Sequence, residues 1–248
     1  MNNEFIKHLT DAVQTFYEEY GAVFSRTRSY AWNEEKYAAT FVKPGMTVVD
    51  VGAGNGKFAS ALPSGVTYIG IEPSSTFRAS APPDLDLRPG ALPSLPIDDA
   101  TADVTTCFAV FHHIPTREGR QAAVQELIRI TKPEGLIIAS SWHLPHILPL
   151  AKGELEGVRS DSAHTSPHPS FARRGIRVKN GEPGDVWVPW KADGATAQRF
   201  VHLMQPGEWK NLWLNDALQI EQIGLFGKDD WTQNIDEARN WLVMGRKK

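Results

Sequence analysis

Between Asp50 and Glu72 the chain gathers residue types suited to holding a nucleoside. Asp50 stands in the apolar run Val48-Val49-Asp50-Val51, and Gly52-Ala53-Gly54-Asn55-Gly56 follows without a break. Glycines at such a turn let the backbone take positive φ and come close to a ligand. Lys57 to Leu62 can then open a helix whose unbonded N–H groups face the same turn. A second run, Val66-Thr67-Tyr68-Ile69-Gly70-Ile71, reads as a strand and ends on Glu72. Glu72 lies 22 positions beyond Asp50, close to the roughly 20-residue offset at which a carboxylate meets a ribose hydroxyl.

The glycine spacing narrows the ligand. A dinucleotide site uses Gly-x-Gly-x-x-Gly to seat a pyrophosphate, whereas this turn is the shorter Gly-x-Gly-x-Gly. An acid just ahead of the glycines repels phosphate and suits a cation, an ammonium or a sulfonium. S-adenosylmethionine fits that pattern better than NAD. Val-Val-Asp-Val-Gly-Ala-Gly-Asn-Gly resembles the first motif of the class I SAM-dependent methyltransferases, in which Glu72 would be the ribose-binding acid.

That resemblance implies an α/β fold. It would be a Rossmann-like, seven-stranded, doubly wound sheet closed by an antiparallel C-terminal hairpin, with an insertion before the last strands. It also implies a cofactor site of Asp50, Gly52, Ala53, Gly54, Asn55 and Gly56, joined by Glu72 and Pro73. The segment Gly90-Ala91-Leu92-Pro93-Ser94-Leu95-Pro96-Ile97 resembles the family's Gly-Asp-Ala…Leu-Pro-Phe stretch, but Ala91 replaces the usual adenine-binding aspartate. Adenine would then meet backbone groups at Ala91 and Leu92. Phe108, near the end of the fourth expected strand (Asp103 to Val110), completes the cofactor set.

The rest of the chain must position these residues. Its 248 residues suffice for one large α/β domain, expected over 1–248, and its hydrophobic content of 41% is ordinary for a packed core. No apolar run approaches the roughly 20 residues of a membrane span. Met1-Asn2-Asn3-Glu4 lacks the charged-then-apolar pattern of a signal sequence, so a cytoplasmic location is expected, away from membranes. A lone cysteine, Cys107, excludes an internal disulfide and a cysteine-rich zinc site. The formal charge of −3 argues against a uniformly basic nucleic-acid binder and leaves room for a local basic patch.

Residues 1–40 are expected to form a helical cap. Phe5, Ile6, Leu9, Val13, Phe16, Tyr17 and Tyr20 share a helical spacing, Gly21 is placed to end that helix, and a short second one carries Glu34, Glu35 and Tyr37. Between them, Arg28 stands among aromatics, where a guanidinium fork can hold a carboxylate or phosphate or simply face solvent. Ser74 and Thr116 are placed as N-caps, and Leu85 to Arg88 as a third strand. Arg117 to Thr131 is amphipathic, with Ala123, Leu127 and Ile130 facing inward. Leu136 to Trp142 would be the fifth strand.

His112 and His113 follow the fourth strand at the edge where open α/β sheets bind ligands. Adjacent histidines point apart on a strand or turn, and no further pair has a metal spacing, so no metal is expected. Residues 143–198 break the periodicity and read as an insertion and possible substrate loop. From Arg159 to Lys179 five basic residues, Arg159, Arg173, Arg174, Arg177 and Lys179, face the single acid Asp161. A phosphate backbone and a solvated loop explain such a run equally.

Further matches resemble the tRNA wobble-uridine carboxymethyl methyltransferases. They are Asp185-Val186-Trp187-Val188-Pro189-Trp190, Arg199-Phe200-Val201-His202-Leu203-Met204 with Gly207-Glu208, Arg239-Asn240-Trp241, and Thr27-Arg28…Trp32. A helix at 207–216 and strands near 218–226 and 240–246 would complete the sheet. The resemblance implies attack of a substrate carboxylate on the methyl group of S-adenosylmethionine, with Arg28 as anion clamp and His112 or His113 as orienting donors. It also implies tRNA as partner and, as in eukaryotic relatives, a small activator protein. Two other readings stay open: a small-molecule methyltransferase of the same fold, and a SAM-binding partner protein without catalysis, suggested by Ala91.

Overall fold

A computed structural model describes residues 1–27, 30–143, 176–192, 194–204, 207–235 and 237–248. In chain order it contains α1 (Asn3–Thr27), α2 (Asn33–Ala39), β1 (Thr47–Val51), β2 (Thr67–Ile71), α3 (Ser75–Ala79), β3 (Leu87–Arg88), β4 (Ala102–Cys107), α4 (Arg117–Ile130) and β5 (Thr131–Trp142). Then come β6 (Ile176–Arg177), β7 (Asp185–Ala192), β8 (Ala195–His202), α5 (Glu208–Leu212), β9 (Leu218–Phe226), β10 (Trp231–Thr232) and β11 (Asn240–Lys247).

The main sheet runs β10-β9-β11-β5-β4-β1-β2-β3. β3, β2, β1, β4 and β5 are parallel, and β11 enters antiparallel between β5 and β9. The family-like expectation of seven strands and an antiparallel final hairpin is met, with the two-residue β10 added at one edge. Buried Val48, Val49 and Val51 make β1 a central strand, covered on both faces as a parallel sheet requires. Ala123, Leu127 and Ile130 of α4 are fully buried against one face, and Thr116 caps that helix by accepting from the Gly119 N–H at 2.9 Å.

Several boundaries differ from the sequence expectation for identifiable reasons. α1 continues past Gly21 to Thr27, because Gly21 serves packing rather than termination. A Cβ there would lie 3.3 Å from Thr76 Cγ2, so glycine lets α1 approach α3. Lys57–Ala61 forms a single 3-10 turn. β3 begins at Leu87, and β4 ends at Cys107 because Ala109 takes φ +56° and redirects the chain. α5 stops at Leu212 rather than 216.

The described part of the expected insertion is largely sheet. β6, β7 and β8 form an antiparallel unit, and β7 alternates buried Val186, Val188 and Trp190 with half-buried Trp187 and Pro189. Proline masked that strand in the sequence. Among the described residues β6 pairs only with Val186 and Trp187, and a proline with no ladder partner on one side is tolerated in a strand. Residues 144–175, with Arg159, Arg173 and Arg174, lie outside the described residues; Arg177 and Lys179 are exposed. Among the described residues no helix is long and apolar enough to cross a membrane.

Candidate active site: a glycine cradle and a buried aromatic cluster

The turn after β1 meets the end of β2 through one carboxylate. Gly52, Gly54 and Gly56 all take positive φ, at 76°, 58° and 73°. A Cβ on Gly52 would fall 2.2 Å from Val110 Cγ2, and one on Gly56 would fall 2.1 Å from Leu85 Cδ2, so these two are fixed by packing as well as by dihedral. A Cβ on Gly54 would meet nothing nearer than the Phe77 ring at 3.9 Å, which leaves that side of the turn able to accept a ligand. The Gly54 N–H donates to Glu72 Oε2 at 2.9 Å, and the Ser74 N–H donates to Glu72 Oε1 at 2.9 Å. Ser74 caps α3 as expected, accepting from the Phe77 N–H at 3.2 Å.

Asp50 is 3% exposed and accepts from Thr106 Oγ1 at 2.7 Å and from the Tyr68 hydroxyl at 2.8 Å. Parallel pairing puts Thr106 directly across from Asp50. Burial pushes Asp50 up to about 6, against the pull of those two hydroxyls. Burial likewise pushes Glu72 up to about 7, against its two backbone bonds. Nearby, Glu34 is pushed up to about 7 by burial and accepts from Asn240 Nδ2 at 2.6 Å. Glu35 pairs with Lys57, whose ammonium sits 3.7 Å from the centre of the Trp32 ring. A cradle rimmed by buried carboxylates disfavours phosphate and favours a cation that also offers hydroxyl donors. A sulfonium nucleoside has both, so the residues fit S-adenosylmethionine.

The remaining expected cofactor residues lie around this cradle. Ala53 is buried and donates to Ile71 O at 3.1 Å; Asn55 is half-buried; Pro73 is exposed, its carbonyl accepting from Arg78 at 2.8 Å. Ala91 is exposed and Leu92 packs on the core. Their segment is fastened to α4 where the Leu95 N–H donates to Glu126 Oε1 at 2.6 Å. Phe108 is buried edge-on against Phe58, 5.5 Å between ring centres.

Beyond β4 the rings of the two adjacent histidines lie together, 4.2 Å between centres, rather than pointing apart, and they differ in their hydrogen bonds. The backbone N–H of Trp142 donates to His112 Nδ1 at 3.3 Å, which places the ring proton on Nε2. His112 is fully buried and stacks on Trp142 at 4.1 Å, and its Nε2 has no hydrogen-bond partner among the described residues. His113 is anchored at both nitrogens, Nδ1 to Phe200 O at 3.0 Å and Nε2 to the Tyr17 hydroxyl at 2.7 Å. Burial holds both histidines well below their usual value, His113 at about 3, so both are neutral at physiological pH.

Arg199, which the sequence offered only inside a family-like match, reaches the same cluster. It is fully buried, donates to the Tyr17 hydroxyl at 3.2 Å and lies 4.3 Å from the centre of the Trp142 ring. Tyr17 gave no sequence signal beyond its apolar helical spacing. Arg28 lies outside the described residues. Cys107 is a buried free thiol that burial pushes well above its usual value. Among the described residues no group of three or more His, Cys, Asp or Glu is arranged to hold a metal.

Residues 49–139 match the family model of a methyltransferase domain. The chain carries a SAM-dependent methyltransferase domain, and S-adenosylmethionine is its cofactor. A tRNA (carboxymethyluridine(34)-5-O)-methyltransferase of Schizosaccharomyces pombe is 25% identical over 229 residues, covering 91% of this chain and 96% of that protein. Its Arabidopsis thaliana namesake is 28% identical over 131 residues, 52% of this chain and 32% of that one. An uncharacterised methyltransferase of Mycobacterium bovis is 37% identical over 112 residues, 42% of this chain and 43% of that one. The matches to the Arabidopsis and M. bovis proteins therefore span less than half of those relatives' lengths.

Among solved structures, a Methanosarcina mazei SAM-dependent methyltransferase superposes with a TM-score of 0.58 at 18% identity, covering 85% of this chain and 96% of that one. A Haloferax volcanii methyltransferase in complex with the Trm112 activator gives 0.59 at 16% identity, covering 95% and 97%. These likenesses concern the fold.

Proposed function

We propose that the protein methylates the carboxylate of a carboxymethyl-modified wobble uridine in tRNA. The observation carrying this reading is the near end-to-end likeness to the S. pombe enzyme, which extends past the methyltransferase core into β8, where Arg199 lies. When bound, S-adenosylmethionine supplies the methyl group: an O–C bond forms at the acceptor as the C–S bond breaks, giving a methyl ester and S-adenosylhomocysteine.

A carboxylate acceptor is already ionised at neutral pH and needs no general base. The histidines suit that requirement, because imidazoles that burial holds far below their usual value are poor proton acceptors and are left to orient groups. Glu72 would hold the ribose, the backbone near Gly54 the body of the cofactor, and the amides of Ala91 and Leu92 the adenine. Asp50 would act at the amino-acid end through charge, since both its oxygens already accept hydrogen bonds. Arg28, in the same reading, reaches the acceptor's anion. Rings of α1 and β5 exclude water from that end, and a desolvated, aligned nucleophile reacts faster. A small activator protein, like that in the Haloferax complex, belongs to this proposal, as does a cytoplasmic site of action.

The test is transfer of a labelled methyl group to an anticodon stem-loop carrying 5-carboxymethyluridine, beside the same RNA with plain uridine. Base-labile label in the first alone is expected, with or without added activator. Transfer to small-molecule extract but to neither RNA would overturn the tRNA acceptor. That second reading is favoured by the formal charge of −3.

A further inference from the structure

Four side chains from distant parts of the chain converge at the carboxyl edge of β4 and β5. Arg199 comes from β8, His112 from the turn after β4, Trp142 from the end of β5, and Tyr17 from α1. Trp142 carries two of them: the His112 ring stacks on it at 4.1 Å, and the Arg199 guanidinium lies 4.3 Å from its centre. Tyr17 links this cluster to the cradle. Its ring lies 5.7 Å from that of Phe77, whose edge approaches the open side of Gly54.

The charges of this cluster define what it can take. Arg199 brings a cation to a fully buried position, where it donates to the Tyr17 hydroxyl and lies against the faces of Phe16, Phe24 and Trp142. His112 brings a buried N–H donor that no described residue satisfies, and burying such a donor unbonded is unfavourable unless something binds it. His113 adds no charge, because burial keeps its ring neutral against the pull of the Phe200 carbonyl. A cation and an unsatisfied donor beside a flat indole suit a carboxylate attached to a planar ring system.

We infer that Arg199 and His112 together anchor the acceptor's carboxylate, with Trp142 as the platform that orients both. The choice of a carboxylate over other anions rests on the proposed function, but the anion preference can be measured without RNA or transfer. The probe is phenylacetate, a carboxymethyl group on a flat ring, beside the uncharged phenylacetamide. Both are titrated into protein saturated with S-adenosylhomocysteine and followed by calorimetry and tryptophan fluorescence.

The native chain is expected to prefer the acid by at least about tenfold, as a charge-assisted contact implies. Arg199→Met should abolish that preference. His112→Phe keeps the stack on Trp142 and should reduce it by about threefold to tenfold. Affinity for S-adenosylhomocysteine, measured on the same preparations, reports folding of each variant and should stay within about twofold. If Arg199→Met fails that check, His112→Phe and the charge-keeping Arg199→Lys decide. Equal binding of acid and amide by the native chain, or full preference in a folded Arg199→Met or His112→Phe variant, overturns the anchor. A native acid preference lost in these variants, with no methylation of the stem-loop RNA, would sustain the anchor and overturn only the tRNA reading.

Discussion

Glu72 and Gly54 are joined by a single hydrogen bond, yet their neighbours Gly52 and Gly56 do different work. Gly54→Ala should fold, losing only about 1–2 kcal/mol to its left-handed backbone, while its methyl group blocks the cradle and weakens S-adenosylhomocysteine binding by more than tenfold in calorimetry. Gly52→Ala adds a clash with Val110 to the same dihedral strain and should instead appear as a large loss of thermal stability. Glu72 also predicts a pH effect. Burial raises it to about 7, so between roughly pH 4.5 and 7 the folded chain holds a proton that the unfolded chain has released. Its contribution to stability therefore falls as pH rises through that window. Glu72→Gln should gain melting temperature relative to the native chain on going from pH 5 to pH 8, and a constant offset would refute the assignment. The cradle was legible because its residues are close in sequence and their types dictate backbone shape. Arg199 and Tyr17 were not, since they lie 182 positions apart and only β8 and α1 packing brings them together.

Among the elements, the fastening of the second sheet to the Rossmann-like body is the most exposed to perturbation. Arg120 of α4 bonds Glu182 at 2.6 Å, Glu208 at 2.9 Å and the carbonyl of Ile114 at 2.8 Å. His202 of β8 bridges Asp185 at 2.6 Å and Glu208 at 2.9 Å. Removing one member of such a buried network leaves charge uncompensated, so Arg120→Met should cost roughly 3–5 kcal/mol in urea unfolding. Burial lowers the His202 imidazole, but its bonds to the two carboxylates outweigh that and raise it overall. Its contribution is therefore complete below the unfolded value near 6.5 and fades as pH climbs through the raised folded one. The stability gap between the native chain and His202→Gln should be larger at pH 6 than at pH 9. At this scale β9 and β11 followed from the family-like antiparallel final hairpin and matched expectation to within a residue. β7 was not legible, because Pro189 and the surrounding Gly and Pro disguise a strand whose partners supply its regularity.

For the whole molecule, the fold class followed from the order of strand, glycine turn and acid, while the substrate did not, because the same sheet serves many acceptors. A chain of net charge −3 gains little general attraction to RNA, so any tRNA contact must come from local patches. Raising salt from about 50 to about 200 mM should lower stem-loop methylation on the order of a hundredfold if about five phosphates are engaged. Phenylacetate binding should change far less, and a salt-insensitive RNA reaction would count against phosphate contacts.

α1 touches both halves of the reaction. Ser74, whose N–H is held by Glu72, donates from its hydroxyl to the Tyr17 carbonyl at 3.2 Å, and the Tyr17 phenol bonds His113 at 2.7 Å. In the proposed reaction, methyl donor settling against Glu72 would therefore steady the helix beside the proposed acceptor site, and linkage would require the acceptor to return the favour. The kinetic signature expected of that reaction is a compulsory order of arrival: donor first, acceptor second, ester departing before the spent nucleoside. Product inhibition by S-adenosylhomocysteine should then be competitive toward the donor and mixed toward the acceptor, and a Tyr17→Phe enzyme should drift toward random entry.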